Sequence, residues 1–269
     1  MTGASSGNGR ATALALAREG AAVACSDLQP ERLAHGFEEE NLPTHEQIVA
    51  AGGSASYIRA DVRSPDDMDA LARHAVSEHG RLDIWVNNAG IVKPSPIGDM
   101  PLEDFNEELA VDLTGTWLGC KYAVREMRRQ PRVGRCAGHI VNLGSIAGSF
   151  GNANITAYAA AKGAVHALTR ALAIEVGPDA INVNAVVPGF LPTAMNRGFW
   201  DHPEMLSAIL ATNALSHPGT PDDLANAIVF LSSEESAWIT GALLPVDGGF
   251  SAYGAFPEIA RVLKSMGGS

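Results

Sequence analysis

A single doubly wound α/β domain with a mostly parallel sheet is the fold class this sequence predicts, from three observations. Short apolar runs (AAVACSDL, SASYIRADV, LDIWVNNAG, GHIVNLGS, INVNAVVPGF, ITGALLPVDGG) alternate with Ala- and Leu-rich stretches of helical character, as strands alternate with crossover helices in a parallel sheet. A loop carrying Gly3, Gly7 and Gly9 turns straight into a helix closed by Gly20. Amides and small residues (Asn87, Asn88, Ala89, Gly90) follow the apolar run LDIWV, which suits a ligand lying across the carboxyl edge of the sheet.

Size and charge narrow the class. At 269 residues and 46% hydrophobic content, the chain can build one large core. A net charge of -11 and a pI near 5.1 argue against a nucleic-acid partner and against an anionic membrane surface. Cys25, Cys120 and Cys136 lack metal-ligand spacing, and an odd count suits a reducing compartment. No apolar run approaches the ~18 residues of a membrane span, and the amino terminus lacks the layout of a signal peptide. A soluble, cytoplasmic protein is expected. The eight scattered histidines suggest no metal site.

The glycine loop and first helix form a familiar anion-binding arrangement. Backbone N–H groups there can approach a pyrophosphate, and the helix dipole favours its charge. The next strand ends in Asp27, eighteen residues after Gly9. A carboxylate at that place accepts hydrogen bonds from adenosine ribose hydroxyls and repels a 2′-phosphate. With no Arg or Lys in the glycine loop, NAD is favoured over NADP. Residues 28–53 are polar and broken by Pro30 and Pro43, reading as an excursion and then a helix over Thr44–Ala51 capped by Gly52. The EEE run reads as a solvated loop face. A strand ending at Asp61 and Val62 follows, then a helix from Pro65 to about His79.

The densest chemistry lies in SIAGSFGNANITAYAAAK, where Ser145 precedes Tyr158 by thirteen residues and Tyr158 precedes Lys162 by four. The run from Tyr158 onward is rich in Ala and Leu and free of Pro, so it reads as a helix with Tyr158 and Lys162 on one face. A free phenol has a pKa of about 10, and a neighbouring ammonium stabilises its phenolate and pulls that value toward neutrality. Ser145, at the end of a strand, can hydrogen-bond a substrate oxygen. The competing reading is a buried Tyr with a surface Lys one turn away.

TGASSGNG, Asp61-Val62, NNAG, the Ser145/Tyr158/Lys162 set and Pro188-Gly189 together resemble the short-chain dehydrogenase/reductase family, from Thr2 to about Gly249. The resemblance implies a Rossmann-like domain in which Tyr158 is the general acid/base. It implies that Lys162 lowers the pKa of Tyr158 and binds nicotinamide ribose, and that Ser145 orients the substrate. It places Gly3, Ser5, Ser6, Gly7 and Gly9 at the cofactor phosphates, Asp27 at the adenosine ribose, and Asp61 and Val62 around the adenine. Asn88, Ala89 and Gly90 would line the cofactor, with Pro188 and Gly189, and Thr193 would hold the carboxamide. A homotetramer is also implied.

Two departures stand out. The family has a buried strand leading into the TG motif, whereas here the chain begins Met1-Thr2-Gly3. That first, central strand is expected to be missing, and a natural start upstream of Met1 is expected. Unpaired buried ladder groups cost about 1–3 kcal/mol each, against a total domain stability of ~5–15 kcal/mol. The second departure is Asp112, where the family commonly has Asn as a fourth catalytic residue. Its carbonyl could still support a water-linked relay, and its carboxylate could hold Lys162 charged; alternatively it bonds only local backbone in a helix kink.

Residues from about 190 to 215 read as a substrate lid, with Phe199-Trp200 beside Gly198 as an apolar cover and Arg197 as its fixed cation. An amphipathic packing helix explains Leu206, Ile209 and Leu210 equally well. A tail follows at about 250–269. The expected activity is NAD-dependent interconversion of a secondary alcohol and a ketone, the substrate being neutral and fairly apolar. An NADPH-dependent reductase of 3-oxoacyl chains on a carrier protein shares the catalytic set but is disfavoured by Asp27 and the acidic balance. A catalytically impaired dinucleotide-binding or scaffold protein stays open through Asp112 and the absent strand. A dehydratase or epimerase on a related fold is a further alternative.

Overall fold

A computed structural model describes residues 1–33, 36–38 and 41–252. Within them, parallel strands form two ladders. In the first, β1 (Val23–Asp27) pairs with β2 (Ala55–Arg59). The second runs in the order β3 (Ile84–Asn87), β4 (Gly138–Leu143), β5 (Ile181–Pro188), β6 (Leu243–Val246). Every described pairing is parallel, as the alternation of apolar runs and helices predicts.

Two residues join the ladders. Ser26 N donates to the Met1 carbonyl at 3.0 Å, and Thr2 N donates to the Val86 carbonyl at 3.1 Å, so Met1 and Thr2 lie between β1 and β3. Beneath them a void of about 330 Å³ runs between Val23–Ala24 and Ile84–Val86, bordered by Leu16, Leu71 and Trp85. A strand running between β1 and β3 would pass through this space. The Met1 ammonium is buried there and donates to the Ala24 carbonyl at 2.7 Å, and burial pulls its pKa down to about 6.

Side chains alternate across the strands, so each sheet face has its own core. On one face Val86, Val141 and Val186 meet Leu16 of α1 (Gly7–Arg18), Ile48 of α2 (Thr44–Ala50) and Leu224 and Ile228 of α9 (Pro221–Leu231). On the other, Trp85, Ile140 and Val183 meet Met68 and Leu71 of α3 (Pro65–His79), Leu118 of α5 (Thr116–Met127) and Val176 of α6 (Thr156–Val176). Helix ends follow their capping chemistry. Pro65 opens α3, the Ser64 hydroxyl accepts from Asp67 N at 3.2 Å, and Gly80 closes the helix at φ 84°. The second helix stops at Ala50 rather than Ala51, with Gly52 beyond it at φ 84°.

Helix α4 (Leu102–Leu109) runs into a π-helical turn, Ala110–Gly115, before α5. The kink expected around Asp112 is therefore a π bulge, a feature enriched at functional sites. After β5, a 3₁₀ turn (Ala194–Asn196), α7 (Arg197–Trp200) and α8 (Pro203–Thr212) make up the segment expected as a lid. Among the described residues no helix is long and apolar enough to cross a membrane. The expected tail lies outside the described residues from position 253 onward.

Candidate active site

Sheet order reverses at Thr2: β1 and β2 lie to one side, β3 to β6 to the other. In a parallel sheet the strand ends diverge at such a point and leave a crevice above their carboxyl edge. A cleft of about 300 Å³ occupies it, running from the glycine loop and Asp27 to Tyr158 and Lys162.

The loop is tightly tied. Thr2 Oγ1 accepts from Asn88 N at 3.1 Å and Ala89 N at 3.2 Å, while Asn88 Nδ2 donates to the Gly3 carbonyl at 2.9 Å. Asn88 thus braces the loop as well as lining the cleft. A Cβ on Gly3, whose φ is 64°, would lie 2.6 Å from Asn88 Nδ2, and one on Gly9 would lie 1.8 Å from the Gly3 carbonyl oxygen. Only glycine fits either position. Ser6 and Gly7 border the cleft, whereas Ser5 turns away from it. Ser5 is buried, and its hydroxyl donates to the Gln29 carbonyl at 2.6 Å.

An anion already sits at the helix start: Gly7 N donates to the Glu38 carboxylate. The acidic run predicted to be solvated thus places one carboxylate where the N-terminus of α1 attracts negative charge; Glu39 and Glu40 lie outside the described residues. Nothing local in the sequence signals this, since Glu38 and Gly7 are thirty-one positions apart.

Asp27 accepts from Leu28 N at 2.8 Å and Ser5 N at 3.2 Å at the cleft wall, where burial raises its pKa against those two bonds. Asp61 and Val62 border the cleft farther along. Asp61 is gripped by Arg63, with Arg63 Nη2 donating to Oδ2 at 2.6 Å, and this lowers the Asp61 pKa. The sequence reading missed Arg63. Its position two residues after an acid already assigned to the site was the available signal.

At the catalytic end, α6 presents Tyr158 and Lys162 to the cleft from one face, with Lys162 Nζ 5.5 Å from the centre of the Tyr158 ring. Ser145 follows β4, its hydroxyl accepts from Ala147 N at 3.1 Å, and its nearness works to lower the pKa of the Tyr158 phenol. Lys162 donates to the Leu143 carbonyl at 3.1 Å. The residues 145, 158 and 162 are therefore brought together as predicted.

Asp112 joins them. It is fully buried, its Oδ1 accepts from Ile91 N at 2.8 Å, and its Oδ2 stands 3.4 Å from Lys162 Nζ. That is ion-pair range, although no donor is directed at Oδ2 in hydrogen-bonding geometry. Its carbonyl accepts from Thr116 Oγ1 at 2.8 Å. The glycine at 90 stands against the pair, and a Cβ there would lie 3.3 Å from Asp112 Oδ1 and 3.4 Å from Lys162 Nζ.

The electrostatics correct one expectation. Burial raises the Tyr158 phenol; Lys162 pulls it down, but Asp112 pushes it up again. The chain's own groups therefore leave the phenol above its ordinary value rather than drawn toward neutrality. Burial works against the Lys162 charge, yet Asp112 and Tyr158 outweigh it and raise that pKa. Asp112 is itself raised, chiefly by burial and in spite of Lys162.

Pro188, Thr193, Ala194 and Met195 close the cleft from the β5 side. Thr193 packs toward Gly7, where an added Cβ would lie 3.3 Å from its methyl group. Gly189 faces elsewhere and gives Asp247 room, an added Cβ lying 2.9 Å from Asp247 Cα. Phe199 and Trp200 do not border the cleft: Phe199 packs edge-on against Phe190, and Trp200 Nε1 donates to Asn196 at 3.1 Å. Arg197 lies over the Phe37 ring at 4.2 Å and donates to the Gly36 carbonyl, so α7 touches the excursion after β1.

A family model described as Enoyl-(Acyl carrier protein) reductase matches residues 3–251. The chain is 38% identical to a glucose 1-dehydrogenase of Gluconobacter oxydans, over 95% of this chain and 92% of that protein. Its fold superposes on a short-chain type dehydrogenase/reductase from Mycobacterium marinum with a TM-score of 0.84, at 32% identity and 94% coverage of each chain. The chain belongs to the short-chain dehydrogenase/reductase family. Within it, a cis-4-hydroxycyclohexanecarboxylate dehydrogenase of Sinomonas cyclohexanicum is 36% identical over 94% of this chain and 95% of its own length. A gluconate 5-dehydrogenase from Burkholderia cenocepacia, determined in complex with NADP and tartrate, matches with a TM-score of 0.84 at 28% identity, covering 94% of each chain. Membership makes the protein an NAD(P)-using oxidoreductase acting on CH–OH donors. The residues present fit such a cofactor: two glycines that tolerate no side chain, an anion-binding helix start and an acid at the far wall.

Proposed function

We propose that the protein is an NAD-dependent dehydrogenase that interconverts a secondary alcohol and a ketone, with Tyr158 as the general acid/base. The observation that carries this reading is Tyr158, with Lys162 Nζ 5.5 Å from its ring centre, in one cleft with the glycine loop and Asp27. When bound, the nicotinamide supplies the hydride-accepting carbon and a positive charge. In this reading Ser145 holds the substrate oxygen and Tyr158 takes the hydroxyl proton in oxidation. Lys162 stabilises the phenolate. Asp112 keeps Lys162 charged, acting as a fourth member of the set. Gly3, Ser6, Gly7 and Gly9 cradle the phosphates, Asp27 meets the ribose hydroxyls, and Asp61, Val62, Asn88, Ala89, Gly90, Pro188 and Thr193 complete the cofactor wall.

Asp27 supports NAD, because its carboxylate opposes a 2′-phosphate. A second reading, NADP, is favoured by the NADP complex of the gluconate 5-dehydrogenase. Arg63 does not tip the balance that way, since Asp61 holds it on one side and Glu107 lies 3.6 Å away on the other. Ile91, Val111 and Met195 give the catalytic end an apolar lining, which supports a neutral ring alcohol. The name of the 34%-identical cyclopentanol dehydrogenase of Comamonas testosteroni agrees with that choice, whereas that of cis-4-hydroxycyclohexanecarboxylate dehydrogenase agrees with the ring but not with neutrality. The segment from about 190 to 215 acts as a lid over the substrate, and the protein works as a cytoplasmic homotetramer.

The test is a panel of cyclic secondary alcohols with NAD⁺ and NADP⁺, followed by absorbance of the reduced nicotinamide. Reduction of NAD⁺ that strengthens at alkaline pH is expected. Tight NAD⁺ binding without turnover of any alcohol would instead favour a dinucleotide-binding scaffold.

A further inference from the structure

At the end of the sheet opposite the catalytic cleft, Cys136, His139 and Glu234 converge. One donor atom from each lies within 4.8 Å of the others. Cys136 precedes β4, His139 is the second residue of β4, and Glu234 begins a 3₁₀ turn (Glu234–Ser236) beyond α9. From His139 to Leu143 the strand spans about 13 Å at 3.3 Å per residue, so this cluster is separate from the cleft.

The imidazole itself points to a ligand. His139 is 6% exposed, and its Nδ1 is buried with no hydrogen-bond partner. The ring lies beside the Leu231 backbone, and Nδ1 faces inward with no protein partner. A buried imidazole nitrogen with no protein partner is a donor atom open to a ligand. A second orphan, Ser232 Oγ, lines the same recess of about 350 Å³.

We propose that Cys136, His139 and Glu234 bind a thiophilic divalent cation, zinc above all, with a water from the recess as fourth ligand. Thiolate, imidazole and carboxylate are the donors zinc takes in a tetrahedral site. Zinc bonds of about 2.0–2.3 Å require donor atoms closer together than the present limit of 4.8 Å. Glu234, which is exposed and lies on a short turn, supplies the adjustment. Neighbouring charges permit it: Arg81 is paired with Asp83 at 2.7 Å, and Arg135 contributes its backbone N–H to Glu234 at 3.2 Å. Binding replaces the Cys136 S–H bond with a sulfur–zinc bond and releases one proton to solvent, with no change of oxidation state. The metal clamps the start of β4 to the end of α9.

The full chain, stripped with a chelator, is to be titrated with Co²⁺ and then Zn²⁺. One equivalent of Co²⁺ should give a thiolate-to-cobalt charge-transfer band that zinc abolishes. The exposed substitution Glu234→Gln should weaken cobalt binding by about tenfold or more, and Cys136→Ser should remove the band. Zinc should raise the melting temperature of the wild type more than that of Glu234→Gln. Absence of the band at saturating Co²⁺, or equal affinities for wild type and Glu234→Gln, would overturn the proposal.

Discussion

Asp112 Oδ2 stands 3.4 Å from Lys162 Nζ inside the protein, both side chains removed from solvent. The same carboxylate pushes the Tyr158 phenol up while Lys162 pulls it down. It therefore adds to burial in opposing Lys162 at the group proposed to move the proton.

Replacing Asp112 by Asn keeps the main-chain carbonyl and removes the charge. With the opposing carboxylate gone, the phenolate of Tyr158 is easier to form and its pKa falls. The acid limb of the pH–rate profile for alcohol oxidation should move to lower pH. A profile that superposes on the wild type would leave Asp112 with only its bond to Ile91.

Tyr158→Phe retains the ring near Lys162 and deletes the phenol. Turnover should fall by about 10²–10⁴-fold, the span of general acid–base catalysis. Cofactor affinity, read by fluorescence titration, should stay within a few-fold, and substantial remaining turnover would contradict the role assigned to the phenol.

Glu38 occupies the start of α1 through Gly7 N, where a cofactor phosphate would also be drawn. Competing anions at a helix N-terminus differ by about 0.3–1 kcal/mol, up to ~2 kcal/mol in partly buried sites. Glu38→Gln is accordingly expected to tighten NAD⁺ binding severalfold by calorimetry. Unchanged or weaker binding would show that Glu38 does not compete.

Removing the Asp27 carboxylate should change cofactor preference more than catalysis. In Asp27→Ser, the ratio of kcat/KM for NADP⁺ over NAD⁺ should rise about tenfold, equivalent to 1.4 kcal/mol. A ratio that does not move would detach Asp27 from the ribose.

The void beside Met1 offers a different kind of test. An added run of about five apolar, β-favouring residues ahead of Met1 could pair with both β1 and β3 and fill the space that Leu16, Leu71 and Trp85 border. At about 2–4 °C per kcal/mol for a domain of this size, a melting temperature higher by several degrees is expected. An extended chain melting no higher than the present one would mean that the void closes by other means.

Much of this arrangement was legible because its signals are local. Periodicity and capping residues placed α3 at Pro65–His79, and four-residue spacing put Tyr158 and Lys162 on one helix face. These features depend on the geometry of one or two turns of backbone. That Ser145 follows a strand was also foreseen, from the apolar run that precedes it. Its hydrogen-bond partner Ala147 was not, since that bond requires the 3₁₀ turn Ile146–Gly148.

The sequence by itself determined a parallel α/β domain, a glycine loop feeding a helix, an acid after the next strand, and a tyrosine–lysine pair. Tertiary structure alone decided that Asp112 meets Lys162 and that Glu38 reaches Gly7. It also decided that Ser5 turns inward, that Phe199 and Trp200 stay off the cleft, and that Cys136 and His139 find Glu234. The physical reason is distance along the chain. Asp112 and Lys162, Glu38 and Gly7, and His139 and Glu234 lie tens of residues apart, and only strand register and the packing of helices on both sheet faces set how close such side chains come.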